Sequence, residues 1–264
     1  MAKICPLFSG SSGNSIYISS GESAILIDIG KSAKQIEISL KENNLNVTNI
    51  KAIFITHEHT DHIQGLRVFA SRYNIKTYAS KGTYEVLNYK GIINGKFPVE
   101  IINENEVNID SMSIKSFSTS HDSAESLGFV VSTCDNRKVG IATDLGFVSK
   151  TVYDSLTGCD ALVFESNHDI GMLENGPYPY YLKRRILSSK GHLSNSACAK
   201  ILPEFLKTGT TRFILAHLSK ENNMEALAYQ TSLKSLEKNG GKSNIDFLLS
   251  VAPRSNFKGY SVLI

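Results

Sequence analysis

Residues 56–62, with the sequence Thr-His-Glu-His-Thr-Asp-His, concentrate potential metal ligands in one turn. Three of the chain's seven histidines lie there, and the candidate ligands are His57, His59, Asp61 and His62. Imidazole nitrogen suits zinc, and a carboxylate can bridge or tune a second divalent ion. The alternative is a cluster of solvated polar residues at the start of a helix, with Asp61 as its N-cap. That alternative does not explain why so many histidines lie together. The spacing therefore predicts a metal-binding turn.

Three further ligand-type residues each lie just past the end of an apolar run that reads as a strand: His121 after 112–117, Asp144 after 138–142 and His217 after 212–216. Loops at such strand ends converge on sites in layered α/β folds. With the first turn they make a set of five histidines and two aspartates. That number suits two metals with positions left for water and substrate.

The elements that must position these residues alternate between strand and helix patterns along the chain. Strands are predicted at 16–19, 24–29, 51–55, 75–79, 99–102, 112–117, 127–133, 138–142, 161–164, 212–216, 247–251 and 259–264. Helices are predicted at 31–42, 63–73, 81–89, 150–156, 180–188, 195–206 and 224–238, and 103–110 is predicted to be a polar connection. No repeat or linker divides the chain. We therefore expect a single α/β domain over residues 1–264, with helices outside two sheets.

Composition narrows the class of protein. The 264 residues are 41% hydrophobic, enough for one large core or two small ones, and the net charge of +3 is too small to indicate nucleic acid by itself. The four dispersed cysteines predict neither a zinc finger nor a disulfide framework, and we expect them to be small buried hydrophobes: Cys5, Cys134, Cys159 and Cys198. No signal peptide and no run of ~20 apolar residues is present, so a cytoplasmic protein without membrane contact is expected.

The ligand order, His-x-His-x-Asp-His followed by His, Asp and His, resembles the metallo-β-lactamase fold superfamily over the whole chain. The resemblance implies a four-layer αββα sandwich with the site at one edge. It implies one metal held by His57, His59 and His121, a second held by Asp61, His62 and His217, and Asp144 bridging them. Di-iron members usually carry a carboxylate where this chain has His59, so two zinc or manganese ions are expected. Asp28 would orient a ligating histidine from behind, or cap the helix at 31–42.

Several second-half motifs resemble the YycJ/WalJ branch of that superfamily, whose members are regarded as 5′→3′ DNA exonucleases. They are Glu-Ser-Asn-His-Asp at 165–169, the Tyr- and Arg-rich stretch 176–187, Gly-His-Leu-Ser-Asn at 191–195 and the segment 217–223. The basic residues Lys183, Arg184, Arg185 and Lys190 follow Tyr178, Tyr180 and Tyr181. Cations attract phosphates and rings can stack on unpaired bases. The alternative is a solvated basic face with the tyrosines packed into the core.

Two more histidines have candidate roles. His192 resembles a histidine of the ribonuclease Z branch that pairs with a glutamate, here Glu165, and protonates the leaving group; alternatively, it holds a phosphate or a water. Ser194 is a candidate N-cap and substrate contact. His168 is a structural residue or a substrate contact.

These features together predict a metal-dependent phosphodiesterase, most specifically a DNA exonuclease. Two metals would activate a bridging hydroxide, Asp61 or Asp144 would orient it, and His192 held by Glu165 would protonate the departing oxygen. The alternatives are a hydrolase of RNA, of a cyclic nucleotide or small phosphodiester, or of a thioester or lactone. A more remote one is a non-catalytic nucleic-acid-binding protein with structural metals.

Overall fold

The computed structural model describes residues 2–102 and 106–264, and these form two sheets. The first sheet contains β1 (Ala2–Phe8), β2 (Ser15–Ser20), β3 (Ser23–Ile27), β4 (Ile50–Phe54), β5 (Lys76–Ala79), β6 (Val99–Ile101) and β14 (Val262–Leu263). The second contains β7 (Val107–Ile109), β8 (Met112–Ser118), β9 (Leu127–Ser132), β10 (Lys138–Ala142), β11 (Ala161–Glu165), β12 (Arg212–Ala216) and β13 (Leu248–Val251). The spatial orders are β14-β1-β2-β3-β4-β5-β6 and β13-β12-β11-β10-β9-β8-β7.

Within each sheet a parallel half points its carboxyl ends to one edge. β3 to β6 are parallel to one another, as are β10 to β13, whereas β1–β2–β3 and β7–β8–β9–β10 pair antiparallel. The central parallel strands β3, β11 and β12 are mostly apolar, as in Ala-Leu-Val-Phe-Glu of β11, because both of their faces are covered. This arrangement gathers the loops that follow β3, β4, β10, β11 and β12 at the same edge.

The helices cover the outer faces of the two sheets. They are α1 (Ala33–Glu42), α2 (Thr60–Ile63), α3 (Leu66–Tyr73), α4 (Lys81–Tyr89), α5 (Lys150–Leu156), α6 (Ile170–Asn175), α7 (Tyr180–Ile186), α8 (Asn195–Lys207) and α9 (Glu225–Lys238), with a 3₁₀ turn at Val47–Asn49. One apolar cluster lies between the sheets, around Phe54 and Phe129. A second, around Phe69, joins the first sheet to α1, α3 and α4, and a third, around Phe205, joins the second sheet to α5, α8 and α9. The predicted αββα order of layers is confirmed.

Three local predictions were wrong. The helix predicted at 63–73 is interrupted at Gln64 and Gly65, which separate α2 from α3, because the N–H of Gly65 donates to the carbonyl of Ile29 at 3.0 Å and not to the preceding turn. The connection predicted at 103–110 contains β7, while residues 103–105 lie outside the described part of the chain. The short helix α6 was not predicted, because its six residues are too few to show a helical period.

The cysteines differ from the prediction at one position. All four are free, and Cys5, Cys159 and Cys198 are buried as expected, but Cys134 is exposed and its Sγ lies 3.0 Å from Ser20 Oγ. Among the described residues, no helix has the length and apolar character needed to cross a bilayer.

Candidate metal centre

The loops at the shared edge bring all seven predicted ligands together. The turn after β4 carries four of them, and the loops after β8, β10 and β12 carry one each: His57, His59, Asp61, His62, His121, Asp144 and His217. Most of these side chains are buried, since His57 and His62 are 0% exposed and Asp144 is 2% exposed. Asp61 is partly open, with 25% of its side chain exposed. The centre is therefore sunk into the edge with an opening near Asp61.

A first set of donors consists of three imidazoles. His57 Nε2 lies 3.0 Å from His59 Nδ1, which in turn lies 3.3 Å from His121 Nε2. The other ring nitrogens of two of them are engaged outside the set: His57 Nδ1 lies 3.0 Å from Thr56 Oγ1, and His121 Nδ1 donates to the carbonyl of Gly191 at 3.1 Å. Such outer partners fix the tautomer and leave the inner nitrogens free to coordinate a cation.

A second set combines one carboxylate with two imidazoles, in Asp61, His62 and His217. His62 Nε2 lies 3.4 Å from Asp61 Oδ2, and His217 Nε2 lies 3.6 Å from the same oxygen. The buried carboxylate of Asp144 lies between the two sets. Its Oδ1 is 3.5 Å from His121 Nε2 in the first set, and its Oδ2 is 3.3 Å from His62 Nε2 in the second. Asp144 can thus contact a cation in either set.

Asp28 supports the second set from behind. Its carboxylate accepts hydrogen bonds at 2.8 Å from the backbone N–H and hydroxyl of Thr56 and from Nδ1 of His62. Because Nδ1 of His62 is the donor here, Nε2 is left facing the centre. The alternative role of Asp28 as a helix cap is wrong, since the side chain of Ser32 accepts the capping bond of α1 from Gln35.

Glu165, at the end of β11 and fully buried, connects three of the loops. Oε1 accepts from Nδ1 of His192 at 2.9 Å and from Nδ1 of His217 at 2.8 Å. Oε2 accepts from the backbone N–H groups of Leu145 at 2.7 Å and Leu193 at 3.0 Å. The pairing with His192 agrees with the prediction from sequence. The contacts to His217 and to the residue after Asp144 were not predicted, because nothing in the local sequence indicates them.

The carboxylates of the centre create a negative potential that favours the binding of cations. Burial alone would raise the pKa of Asp61, but the nearby side chains of His217 and His62 hold it far below its usual value. Burial alone would lower the pKa of His217, but nearby carboxylates, Asp144 first, raise it to about 10. The carboxylates of Asp61, Asp144 and Glu165, whose pKa values the neighbouring histidines lower, crowd one space, and uncompensated buried charge is costly. Divalent cations would balance it.

Two orphaned polar atoms support the same conclusion. Within the described part of the chain, Asp144 Oδ2 and His217 Nε2 are buried and form no hydrogen bond. Buried polar atoms are almost always satisfied in native proteins. Both atoms belong to the donor sets and lie at their meeting point. The residues present therefore fit a metal centre.

Sequence reasoning missed two residues that border the centre. Asn14 Nδ2 lies 3.0 Å from His62 Nε2 and 3.2 Å from Asp61 Oδ2, and Ser9 Oγ accepts from the backbone N–H of His217 at 2.8 Å. Both belong to the small-residue turn at 9–15, between β1 and β2. The sequence signal for them was the run of small residues in that turn, Ser-Gly-Ser-Ser-Gly-Asn-Ser, which does not say which side chain reaches the centre.

The predicted substrate contacts on α7 lie beside the centre. Arg185 forms a two-pronged ion pair with Asp122, next to His121, through Nη2–Oδ1 at 3.0 Å and through Nε–Oδ2. Lys183 Nζ donates to the carbonyl of Glu174 at 2.8 Å, and Arg184 lies over the ring of Tyr180. The alternative that the tyrosines pack into the core is wrong for Tyr180 and Tyr181, which are 73% and 74% exposed; Tyr178 is half-buried.

His168 and Ser194 do not offer side chains to a ligand in this conformation. His168 is only 1% exposed, and its carbonyl accepts from the N–H of Asn195 at 2.8 Å, which agrees with the structural alternative. Ser194 Oγ accepts from Ala197 at 3.2 Å and so acts as the N-cap predicted for α8. Their enclosed side chains favour the structural roles, and a contact of either residue with substrate stays a prediction.

Comparisons with known proteins agree with this fold and site. Residues 9–182 match the model of the metallo-beta-lactamase superfamily. The chain belongs to that superfamily. Within it, the chain is 38% identical to exodeoxyribonuclease YycJ of Bacillus anthracis over 89% of each chain. It is 36% identical to exodeoxyribonuclease WalJ of Streptococcus pneumoniae over 91% of this chain and 90% of that protein. The predicted YycJ/WalJ resemblance is confirmed.

A solved structure supports the architecture alone. The metallo-beta-lactamase fold protein YhfI from Bacillus subtilis superposes with a TM-score of 0.74, at 14% identity, over 99% of this chain and 98% of that one. At this identity the likeness extends to the fold and not to the chemistry.

Proposed function

We propose that the protein is a metal-dependent exodeoxyribonuclease that holds two divalent cations, zinc or manganese, and that residues 1–264 act as one domain in the cytoplasm. The observation that carries the proposal is Asp144, whose two oxygens reach two separate donor sets beside the Glu165–His192 pair. The relatives named exodeoxyribonucleases support DNA as the substrate. The YycJ/WalJ resemblance implies attack from the 5′ end.

The residues of the site divide into metal ligands and residues that act on water or substrate. His57, His59 and His121 would hold one cation, Asp61, His62 and His217 a second, and Asp144 would be shared between them. When bound, the cations would supply Lewis acidity toward the phosphate and lower the pKa of a water molecule toward neutrality. Asp61, which is partly open, and Asp144, whose Oδ2 has no hydrogen bond within the described chain, can accept a hydrogen bond from the attacking water and so orient it.

His192 is placed to supply the proton that the leaving oxygen needs. Its Nδ1 is committed to Glu165, which leaves Nε2 for a substrate, and 16% of its side chain is exposed. Its ring centre lies 5.1 Å from that of His121 and 5.2 Å from that of His217, so the ring is adjacent to a member of each donor set. General-acid catalysis of this kind contributes typically ~10²–10⁴-fold to the rate.

The cations of α7 would contact the phosphates that flank the scissile bond. Arg185 is anchored to Asp122 beside His121, and Lys183 and Arg184 extend along the same helix. Contacts of this kind position a polynucleotide without reading its sequence. They are what distinguishes this proposal from a hydrolase of thioesters or lactones, which would gain nothing from them.

The test is incubation of the protein with end-labelled single- and double-stranded DNA and RNA in Mn²⁺ or Zn²⁺. Mononucleotides released from 5′-labelled DNA at the earliest times are expected, with little release from RNA. Internal cuts, or a preference for RNA, would contradict the assignment as an exodeoxyribonuclease. Asp144→Ala should abolish hydrolysis while the circular dichroism spectrum stays unchanged, because Asp144 belongs to the site and not to the apolar core.

A further inference from the structure

A groove of about 480 Å³ opens beside the His121 loop, and the proposed mechanism does not use it. It lies between α4, which packs on the first sheet, and β8 and α5 of the second. Its lining combines cations, a carboxylate, a hydroxyl and an apolar floor: Lys81, Lys115, Glu125, Thr151, Phe117 and Leu127. A groove of mixed polarity with two ammonium groups is suited to an anionic ligand that also has apolar faces.

Backbone hydrogen bonds join the wall of this groove to the metal-binding turn. The N–H of Leu127 donates to the carbonyl of Thr56 at 3.0 Å, directly before His57. The N–H of Ala124 donates to the carboxylate of Glu58 at 2.8 Å, between the first two candidate ligands. The groove and the centre therefore belong to one hydrogen-bonded unit, and a ligand in the groove would lie in a fixed relation to the candidate metals.

The charges in the groove favour phosphate. Neither Lys81 nor Lys115 forms an ion pair with any residue that the structure describes. The carboxylate of Glu125 is already bonded to the N–H of Gly82 at 2.7 Å, so it is partly compensated. The ammonium groups of the two lysines can contact phosphates, and the apolar side chains of Phe117 and Leu127 can contact the sugars between them. This pattern suits a single strand of nucleic acid.

We propose that this groove binds the polynucleotide on one side of the scissile bond, with Lys81 and Lys115 on successive phosphates. The inference rests on the proposed nuclease function and extends it. The position of the groove gives the reason: Arg185 and α7 approach the centre at Asp122, directly after His121, and the groove begins where β8 ends, directly before it. Both α7 and the groove therefore border the loop that carries His121, within reach of one bound strand.

The experiment compares wild type with a Lys81→Ala/Lys115→Ala variant. The control is Lys234→Ala, which removes an exposed lysine of α9 that lines neither the groove nor the metal centre. KM is measured on single-stranded DNA of increasing length at several salt concentrations, and bis(p-nitrophenyl) phosphate serves as a substrate too small to reach the groove. For long DNA we expect KM to rise about tenfold and the slope of log K against log salt to fall by about 1.4, since each phosphate contact on a single strand contributes ~0.7. Hydrolysis of the small substrate and the behaviour of the control should be unchanged.

The outcomes separate the two proposals. If KM and the salt slope for long DNA are unchanged and the small substrate is hydrolysed normally, the groove does not bind DNA. The proposed nuclease function would be unaffected by that result. If wild type hydrolysed neither substrate, the proposed function would fail, and binding of fluorescent DNA measured by anisotropy would still test the groove. Equal Kd values for wild type and the double variant in that assay would refute it.

Discussion

Replacement of Glu165 by glutamine tests whether this residue holds the centre together. The carboxylate accepts four hydrogen bonds: two from Nδ1 atoms, of His192 and His217, and two from backbone N–H groups. Glutamine has nearly the same shape but offers only one acceptor oxygen, and its amide nitrogen is a donor. If the amide oxygen keeps the backbone N–H groups, the nitrogen faces both imidazoles.

The imidazoles can satisfy that donor only by changing tautomer. Nδ1 of His217 would then accept, and its proton would move to Nε2, the atom that faces Asp61 and the candidate cation. A protonated Nε2 cannot coordinate a metal. Loss of such an outer partner typically weakens metal binding 10–100-fold, which corresponds to about 1.4–2.8 kcal/mol. We therefore expect Glu165→Gln to weaken the cation held by the second donor set selectively.

The assay is competition between the protein and a chromophoric chelator for Zn²⁺, which resolves a tighter and a weaker equivalent. Glu58→Gln is the matched control. That carboxylate accepts from the N–H of Ala124 at 2.8 Å and lies 3.4 Å from Thr83 Oγ1, so an amide can satisfy both partners. In Glu165→Gln one equivalent should weaken and hydrolysis should fall with it, whereas Glu58→Gln should bind both equivalents as wild type does. Two unchanged equivalents in Glu165→Gln would refute the reasoning.

Three further outcomes follow from the same geometry. Asp28→Asn should weaken metal binding by roughly 10–100-fold, because the ring of His62 loses its anionic partner; calorimetric titration measures this, and an unchanged Kd would contradict it. His192→Ala should lower kcat by ~10²–10⁴-fold with both metals retained, and a larger KM effect than kcat effect would argue against an acid role. Removal of metal with a chelator should lower Tm, and excess Zn²⁺ should restore it, because a ligand that binds only the folded state stabilises it; a Tm indifferent to metal would show that the centre binds none.

Much of the architecture was predictable because local patterns and the tertiary structure agree. The helices α4 and α5 and the strands β10 and β12 match their predicted bounds, since each has a clear apolar period and a cap or break at its ends. Ser80, for example, caps α4 by accepting from Thr83. The ligands were predictable for a related reason: each follows a recognisable buried strand, and parallel strands bring their carboxyl ends to one edge.

The contacts between loops were not predictable, because their partners are far apart in the chain. Glu165 was expected beside His192 by resemblance, yet its bond to His217 spans 52 positions and no local pattern records it. The role of His168 stayed open between structure and substrate for the same reason, because only the packing of its loop against Asn195 shows that the side chain is enclosed. The contacts with substrate remain predictions, because they form only when the nucleic acid is bound.

The backbone at three site residues explains how the donors are aimed, and why spacing alone could not predict their orientation. Asp28, Asp144 and His217 have φ values of 63°, 58° and 57°, each directly or almost directly after a buried strand. A left-handed conformation outside glycine costs roughly 1 kcal/mol or more, and persists only where the surroundings enforce it. Here they do so: the N–H of Asp28 donates to the carbonyl of Phe54 at 2.9 Å, and the N–H of His217 donates to Ser9 Oγ.

These bonds turn the chain sharply at the strand end, so that the side chain enters the shared edge instead of continuing along the sheet. The N–H of His217, at the end of β12 in the second sheet, bonds to Ser9 in the turn after β1 of the first, so this ligand is directed into the site only when the two sheets have packed together. The bond of Asp28, in contrast, joins β3 to β4 within the first sheet. The centre is consequently a product of the complete αββα sandwich. A fragment carrying only the His57–His62 turn would have the ligands of that turn but not the backbone that directs Asp28, Asp144 and His217 toward them.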